Sequence, residues 1–344
     1  MTLSTDFERL DLPLADPFGI SRGTTETAAN VLVRIADDEF VGVGAGAPSA
    51  YYGETMADAL AALSDLLVTV EEVGDPNAQQ RIERLLRERA PDAPAARAAV
   101  ATALADLAAS RQAEPLYRRW GLDPDAAPVT AYTIGIDTPE RMAEKARAAR
   151  EAGYPILKIK VGTSADRERV RAVREAAPDA RLRVDANGAW EPADAIAATR
   201  WLAEHGVEFV EQPVPADDIA GLCAVTERGA LPVAADESCV TASDVPAVAD
   251  AVDIVVTKLA KCGGLHAAVR QIATANAHGL DTMVGCMVAS NAAIAGACHL
   301  APLCTYADVD GALLLDSDPY DGVAMPGGHI ELRAVGSGTG VEGV

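Results

Sequence analysis

The sequence predicts a parallel β/α barrel carrying a smaller α+β unit, and three features lead there. Beyond Pro128, short apolar strands alternate with amphipathic helical spacing through eight strands, the pattern of a parallel sheet wound by βα units. Ahead of it, an antiparallel strand pattern gives way to Ala- and Leu-rich helices, which marks an α+β unit. Charged residues recur near the ends of successive candidate strands at close to one βα interval, as the rim of a barrel active site requires. A chain of 344 residues has room for a barrel and an attached domain.

Taken in order, residues 1–48 alternate apolar and polar positions, with strands at 31–35 and 40–43 joined by Asp37-Asp38-Glu39. Gly42-Val43-Gly44-Ala45-Gly46-Ala47 fits a dinucleotide-binding string, but Pro48 follows and no helix opens there, so it reads as a strand end. From Glu54 to Trp120 helical spacing is broken at Asp75-Pro76 and Ala90-Pro91, giving three or four helices. The barrel strands are expected at 129–134, 156–161, 181–185, 209–211, 233–236, 254–258, 282–285 and 305–308. The Gly-rich tail beyond Gly311 is expected to be strand-like and to return to the N-terminal unit. The expected division is therefore 1–125 for the α+β domain, 126–310 for the barrel and 311–344 for the returning segment.

Net charge is 29 − 51 = −22, which argues against nucleic acid or an anionic membrane as partner. No apolar run reaches the roughly 18 residues of a membrane span, and Met1 to Leu10 lacks a basic-then-apolar signal pattern. A cytoplasmic protein is expected. Its six cysteines, Cys223, Cys239, Cys262, Cys286, Cys298 and Cys304, form no C-x-x-C pair and read as buried free thiols.

The chain holds only five lysines against 24 arginines, yet four of the five lie in two short motifs, Lys158-Ile159-Lys160 and Lys258-Leu259-Ala260-Lys261. Arginine stays protonated at working pH, whereas lysine can carry protons. Lys160, Asp185, Glu211, Asp236, Lys258 and Asp308 stand at the expected strand ends, 25, 26, 25, 22 and 50 residues apart. A barrel gathers such residues around one mouth. A single acid after a strand is commonly a helix N-cap, but three in series suit a hard divalent cation with oxygen ligands, Mg²⁺ above all. Lys160 ends the second barrel strand and Lys258 the sixth, so they face each other across the mouth. Two bases on opposite faces of one carbon are what racemisation requires, and a metal on the adjoining carboxylate stabilises the enediolate formed when the α-proton leaves. Lys158 points the same way as Lys160, and its charge is expected to depress the pKa of Lys160 and to hold a substrate carboxylate.

These motifs, with Val184-Asp185-Ala186-Asn187, Glu211-Gln212-Pro213, Ala235-Asp236-Glu237-Ser238 and the Gly263-Gly264 pair, resemble the muconate-lactonising subgroup of the enolase superfamily over nearly the whole chain. The resemblance implies a modified (β/α)7β TIM-type barrel with an α+β capping domain, with Asp185, Glu211 and Asp236 as Mg²⁺ ligands and Lys160 and Lys258 as the acid/base pair. A homo-oligomer is expected on the same ground. Asp308-Val309-Asp310 resembles the Asp-x-Asp pair with which dipeptide epimerases of the subgroup, such as L-Ala-D/L-Glu epimerases, bind a free α-ammonium group; such a pair would repel a dicarboxylate. The expected activity is therefore isomerase chemistry, epimerising the C-terminal residue of a small-molecule dipeptide. Arg22 resembles the loop arginine that binds an acidic side chain, Tyr52 a residue of the second capping loop, and Cys286 and Val288 the seventh-strand segment that contacts the dipeptide. Ala289 departs from the Glu of many relatives. An o-succinylbenzoate synthase, an N-acylamino acid racemase or a cycloisomerase of the subgroup remain alternatives, and a non-catalytic barrel is a third.

Overall fold

The computed structural model describes residues 2–344. Strands β1 (Ser4–Ile20), β2 (Gly23–Ala36) and β3 (Val41–Gly46) form an antiparallel sheet in that order. The alternation in the sequence marks β2 and β3; β1 is a long third strand whose register with β2 runs from Ser4↔Ala36 to Ile20↔Gly23. Its far end, with Ser21 and Arg22, is a hairpin tip reaching toward the barrel.

Helices α1 (Met56–Val73), α2 (Gln79–Arg89) and α3 (Pro94–Ser110) cover the sheet. A capping box between Thr55 and Asp58 starts α1. No neighbouring side chain caps α3. Instead Glu54 reaches in from the preceding loop and accepts hydrogen bonds from the Ala95 and Ala96 N–H groups at 2.6 and 3.0 Å, satisfying two donors that a helix start leaves open.

Alanine lets α3 be buried on nearly every face. The glycine string in β3 has the same cause: a Cβ at Gly42, Gly44 or Gly46 would stand 2.1, 2.3 or 2.1 Å from the carbonyl oxygens of Ala103, Ala99 or Ala95. Those glycines seat a helix against a strand rather than a phosphate.

The barrel follows as β4 (Tyr132–Ile134), α4 (Pro139–Glu151), β5 (Ile156–Lys160), α5 (Asp166–Ala176), β6 (Arg181–Asp185), α6 (Pro192–Glu204), β7 (Val207–Glu211) and α7 (Ile219–Arg228). It continues through β8 (Val233–Ala235), α8 (Val245–Val248), β9 (Ile254–Lys258), α9 (Leu259–Cys262), α10 (Leu265–Ala277), β10 (Asp281–Gly285), α11 (Asn291–Leu300) and β11 (Tyr306–Asp308). The eight strands are parallel and consecutive. A bridge between Thr130 and Ala307 nearly closes the ring. No α-helix follows β11 in the barrel, which is the (β/α)7β pattern.

The tail corrects one expectation. Among its described residues only the pairs β12 (Tyr320–Asp321) and β13 (Glu342–Gly343) are strands; the rest is irregular loop with three short 3₁₀ turns, and Gly327, Gly328, Gly338 and Gly340 stand at positive φ, which breaks strand pairing. Thr339 bonds the buried Asp106 of α3, and Tyr320 bonds Arg34 of β2. All six cysteines are free, but Cys223 and Cys286 are only half-buried. Among the described residues, no helix is long and apolar enough to cross a membrane.

His299 on α11 ties three parts of the chain together. Its Nδ1 accepts from the Tyr117 N–H at 3.1 Å and its Nε2 faces the Thr339 carbonyl at 3.1 Å, so the neutral ring fits both. Burial pushes its pKa down to about 4, against a smaller upward pull from that carbonyl. The unfolded chain therefore takes up a proton between pH 6.5 and about 4 that the folded chain refuses, and stability falls as pH drops through that window. Urea titrations at pH 7.5 and 5 are expected to show His299 costing about 2 kcal/mol at the lower pH, a loss absent from H299Q.

Candidate active site

Parallel register sets the site's levels. Lys160, Asp185 and Glu211 are cross-strand partners on β5, β6 and β7, and Lys258, Gly285 and Asp308 are partners on β9, β10 and β11. Asp236 lies one residue beyond β8. With β5 and β9 four strands apart in an eight-stranded ring, Lys160 and Lys258 approach from opposite walls. The mouth holds a cavity of about 1130 Å³, counting space open to solvent, which both lysines line.

The charges form one buried network. Lys160 Nζ donates to Asp185 Oδ2 at 2.6 Å and Lys258 Nζ to Asp236 Oδ2 at 2.7 Å. Lys158 Nζ donates to Asp308 Oδ2 at 2.6 Å and stands 3.1 Å from Asp185 Oδ2 and 2.7 Å from Glu211 Oε2. Burial alone would lower the Lys158 pKa, but Asp308, Glu211 and Asp185 hold it well above the ordinary lysine value. Lys158 is thus committed to protein carboxylates rather than standing free beside Lys160. Lys258 is likewise raised, chiefly by Asp236, against burial.

Burial would raise Asp185, yet Lys160, Lys158 and Lys258 hold it far below the usual carboxylate range. Glu211 goes the other way, pushed up to about 8 by burial and by Asp185. Neither of its oxygens has an aligned hydrogen-bond donor, since Lys158 lies close to Oε2 but out of line. Six buried carboxylates (Asp185, Glu211, Asp236, Glu237, Asp308, Asp310) meet four ammonium groups (Lys158, Lys160, Lys258, Lys261) and the Arg22 guanidinium, so acids outnumber cations.

That excess, the orphaned Glu211 oxygens and an all-oxygen donor set fit a hard divalent cation held by Asp185, Glu211 and Asp236. Among the described residues, no three His, Cys, Asp or Glu side chains are already converged as a coordination cage; the lysine ammoniums lie between the acids.

The loops after the acids are strained. Asn187 and Gln212 adopt φ of 47° and 36°, costly for residues with a Cβ. Asn187 uses that turn to place its N–H on Asp185 Oδ1 at 2.9 Å and its Oδ1 toward Lys160 Nζ at 3.3 Å.

On the opposite rim Asp308 Oδ1 is buried without a partner. Asp310 is held by the N–H and hydroxyl of Thr133 at 2.5 and 3.1 Å. Cys286 Sγ accepts the Gly311 N–H at 3.3 Å, and Val288 and Tyr52 line the same cavity. Arg22 lines it as well, but its guanidinium is engaged: it donates to the Asn187 carbonyl at 2.6 Å and to Glu237 at 2.9 Å, and lies over the Tyr51 ring. It pins the β1–β2 hairpin tip to the barrel. Thr133, Asn187, Gln212 and Glu237 received no role from the sequence. All four lie within two residues of a strand's C-terminal end, the one signal that could have found them.

Comparison with known proteins agrees with this architecture. Residues 141–343 match the family described as enolase C-terminal domain-like, and residues 6–121 the N-terminal domain of mandelate racemase / muconate lactonizing enzyme. An L-Ala-D/L-Glu epimerase of Bacteroides thetaiotaomicron is 34% identical over 94% of this chain and 84% of its own. A hydrophobic dipeptide epimerase of Enterococcus faecalis is 38% identical over 90% of each chain. The crystal structure of a dipeptide epimerase from Enterococcus faecalis, complexed with Mg and L-Leu-L-Tyr, superposes with a TM-score of 0.92 at 35% identity, covering 99% of this chain and 100% of that one.

Burial and the neighbouring Asp308 push Asp310 up to about 7, against the Thr133 hydrogen bonds. Removing the hydroxyl in T133V takes a donor from the charged form, so the midpoint should rise further. Carboxyl ¹³C NMR of Asp-labelled protein reads this directly. A wild-type Asp310 titrating near pH 4 would contradict the description.

Proposed function

The chain belongs to the enolase superfamily, in its mandelate racemase / muconate lactonizing branch, and from that premise we propose that it is a Mg²⁺-dependent dipeptide epimerase that inverts the α-carbon of a dipeptide's C-terminal residue by 1,1-proton transfer. The observation that carries this reading is the placement of Lys160 and Lys258 on opposite walls of one cavity, with an unpartnered Asp308 oxygen on its rim.

Inversion needs one group to remove the α-proton from one face and another to deliver a proton to the opposite face. Lys160 Nζ and Lys258 Nζ supply those groups, exchanging roles with the direction of reaction. Asp185, Glu211 and Asp236 would hold the Mg²⁺ ion, which when bound stabilises the negative charge that builds on the substrate carboxylate as the α-proton leaves. Asp185 and Asp236 also accept from the two reacting ammoniums, which fixes where each Nζ stands.

Asp308 Oδ1 and Asp310 seat the substrate's α-ammonium group. A buried acceptor without a partner is costly, and a cation relieves that cost where a dicarboxylate would add to it. Lys158 keeps Asp308 ionised and oriented through its Oδ2. The hairpin tip held by Arg22 and the Tyr52 loop cover the mouth and limit water around the reacting carbon.

A dipeptide library incubated in D₂O with Mg²⁺ and followed by mass spectrometry tests this reading. One deuterium at the C-terminal residue's α-carbon, together with the second epimer, is the expected product; a lyase or cycloisomerase would give a changed skeleton. Replacing Asp308 and Asp310 by Asn should lower kcat/KM on free dipeptides by about 100-fold and on N-acetylated ones far less. Equal losses on both would remove the amine-binding role.

A further inference from the structure

Asp236 is held on every side but one. Its N–H donates to Gln212 Oε1 at 3.0 Å. Its main-chain carbonyl and its Oδ1 both accept from Lys261 Nζ, at 2.6 and 2.5 Å. Only Oδ2 is left toward the cavity, where Lys258 Nζ meets it. Gln212 is saturated as well, donating through Nε2 to the Val214 carbonyl and to Ser238 Oγ.

The local sequence explains how two lysines reach one carboxylate. Lys258 ends β9 and immediately caps the one-turn helix α9, so Lys261 lies one turn further along the same chain. Gly263 and Gly264, at φ 92° and 126°, then release the chain into α10. Lys258 comes to Asp236 from the cavity side. Lys261 comes from behind, is fully buried, and completes its ammonium with the Cys239 and Val256 carbonyls at 3.2 and 3.1 Å. It is absent from the cavity wall. An ammonium has three protons and no acceptor, so this one has none left for any ligand.

We propose that Lys261 is a positioning residue: a fixed internal cation that locks the Asp236 carboxylate so that Oδ2 alone is offered to a divalent cation. The assignment rests on reading Asp236 as a cation ligand. Outer-shell partners of this kind commonly set metal affinity by 10- to 100-fold. Lys261 acts through Asp236 and touches no substrate, and the short Lys-x-x-Lys-x-Gly-Gly motif thereby supplies both an acid/base and the support for a neighbouring ligand.

Calorimetric titration of Mn²⁺ into substrate-free protein tests it. K261M, which keeps the volume and removes the charge, should weaken Mn²⁺ binding at least 10-fold, and in a D236N background it should cost nothing further. Unchanged affinity in K261M, or an equal loss in both backgrounds, overturns the proposal. If D236N alone leaves Mn²⁺ binding intact, the ligand reading of Asp236 fails instead. Should K261M not fold, the wild-type protein carries the test: with five lysines, ¹⁵N-lysine labelling resolves each ammonium. The Lys261 signal must exchange slowly and shift along the same isotherm when Mg²⁺ is titrated in. A fast-exchanging or unresponsive signal overturns it.

Discussion

Charge balance inside the barrel mouth is the constraint on which the rest of the structure depends. Six carboxylates and four ammonium groups are buried in and just behind one ring of strand ends, and an unpaired charge there would cost several kcal/mol. The chain meets this by register: parallel pairing sets Lys160 beside Asp185 and Asp185 beside Glu211. Each acid except Glu211 then finds a hydrogen-bonded partner. The imbalance collects on Glu211, which burial and Asp185 push up to about 8. The same network leaves Glu211 without an aligned donor and sets Lys160 and Lys258 on opposite walls of one cavity.

The capping unit serves this network from outside. Glu54 anchors the loop that carries Tyr51 and Tyr52 to the start of α3, and α3 is pressed onto β3 by the glycine string. Arg22 then joins the hairpin tip to Glu237 and to the Asn187 carbonyl, beside two of the acids. Loops at the rim are thereby tied to the residues that follow Asp185 and Asp236.

Much of this was legible in the residues themselves. In a parallel barrel the end of each strand is fixed by topology, so a regular spacing of Lys, Asp and Glu translates into a ring without further information. The tips of long side chains are another matter. Nothing in Lys158-Ile159-Lys160 says that Lys158 turns to Asp308, some 150 positions away, since only packing selects its rotamer. The Arg22 motif pointed to an acidic side chain of a substrate, and its bond to Glu237 could not be read because that partner is remote in sequence. Thr133 and Gln212 are common residue types whose roles appear only when two strand ends meet. The tail misled for a backbone reason: a Gly-rich segment expected to be strand-like instead puts several of its glycines at positive φ and turns.

The opposed lysines are the centre of the account, and isotope exchange resolved by epimer tests them most directly. K160A and K258A would each be incubated in D₂O with the two separate epimers of a turned-over dipeptide. Each variant should lose α-hydrogen exchange from one epimer by at least about 1000-fold and retain it from the other, with the two variants affecting opposite epimers. Exchange lost from both epimers on removing either lysine, or kept in both, would contradict the two-faced arrangement.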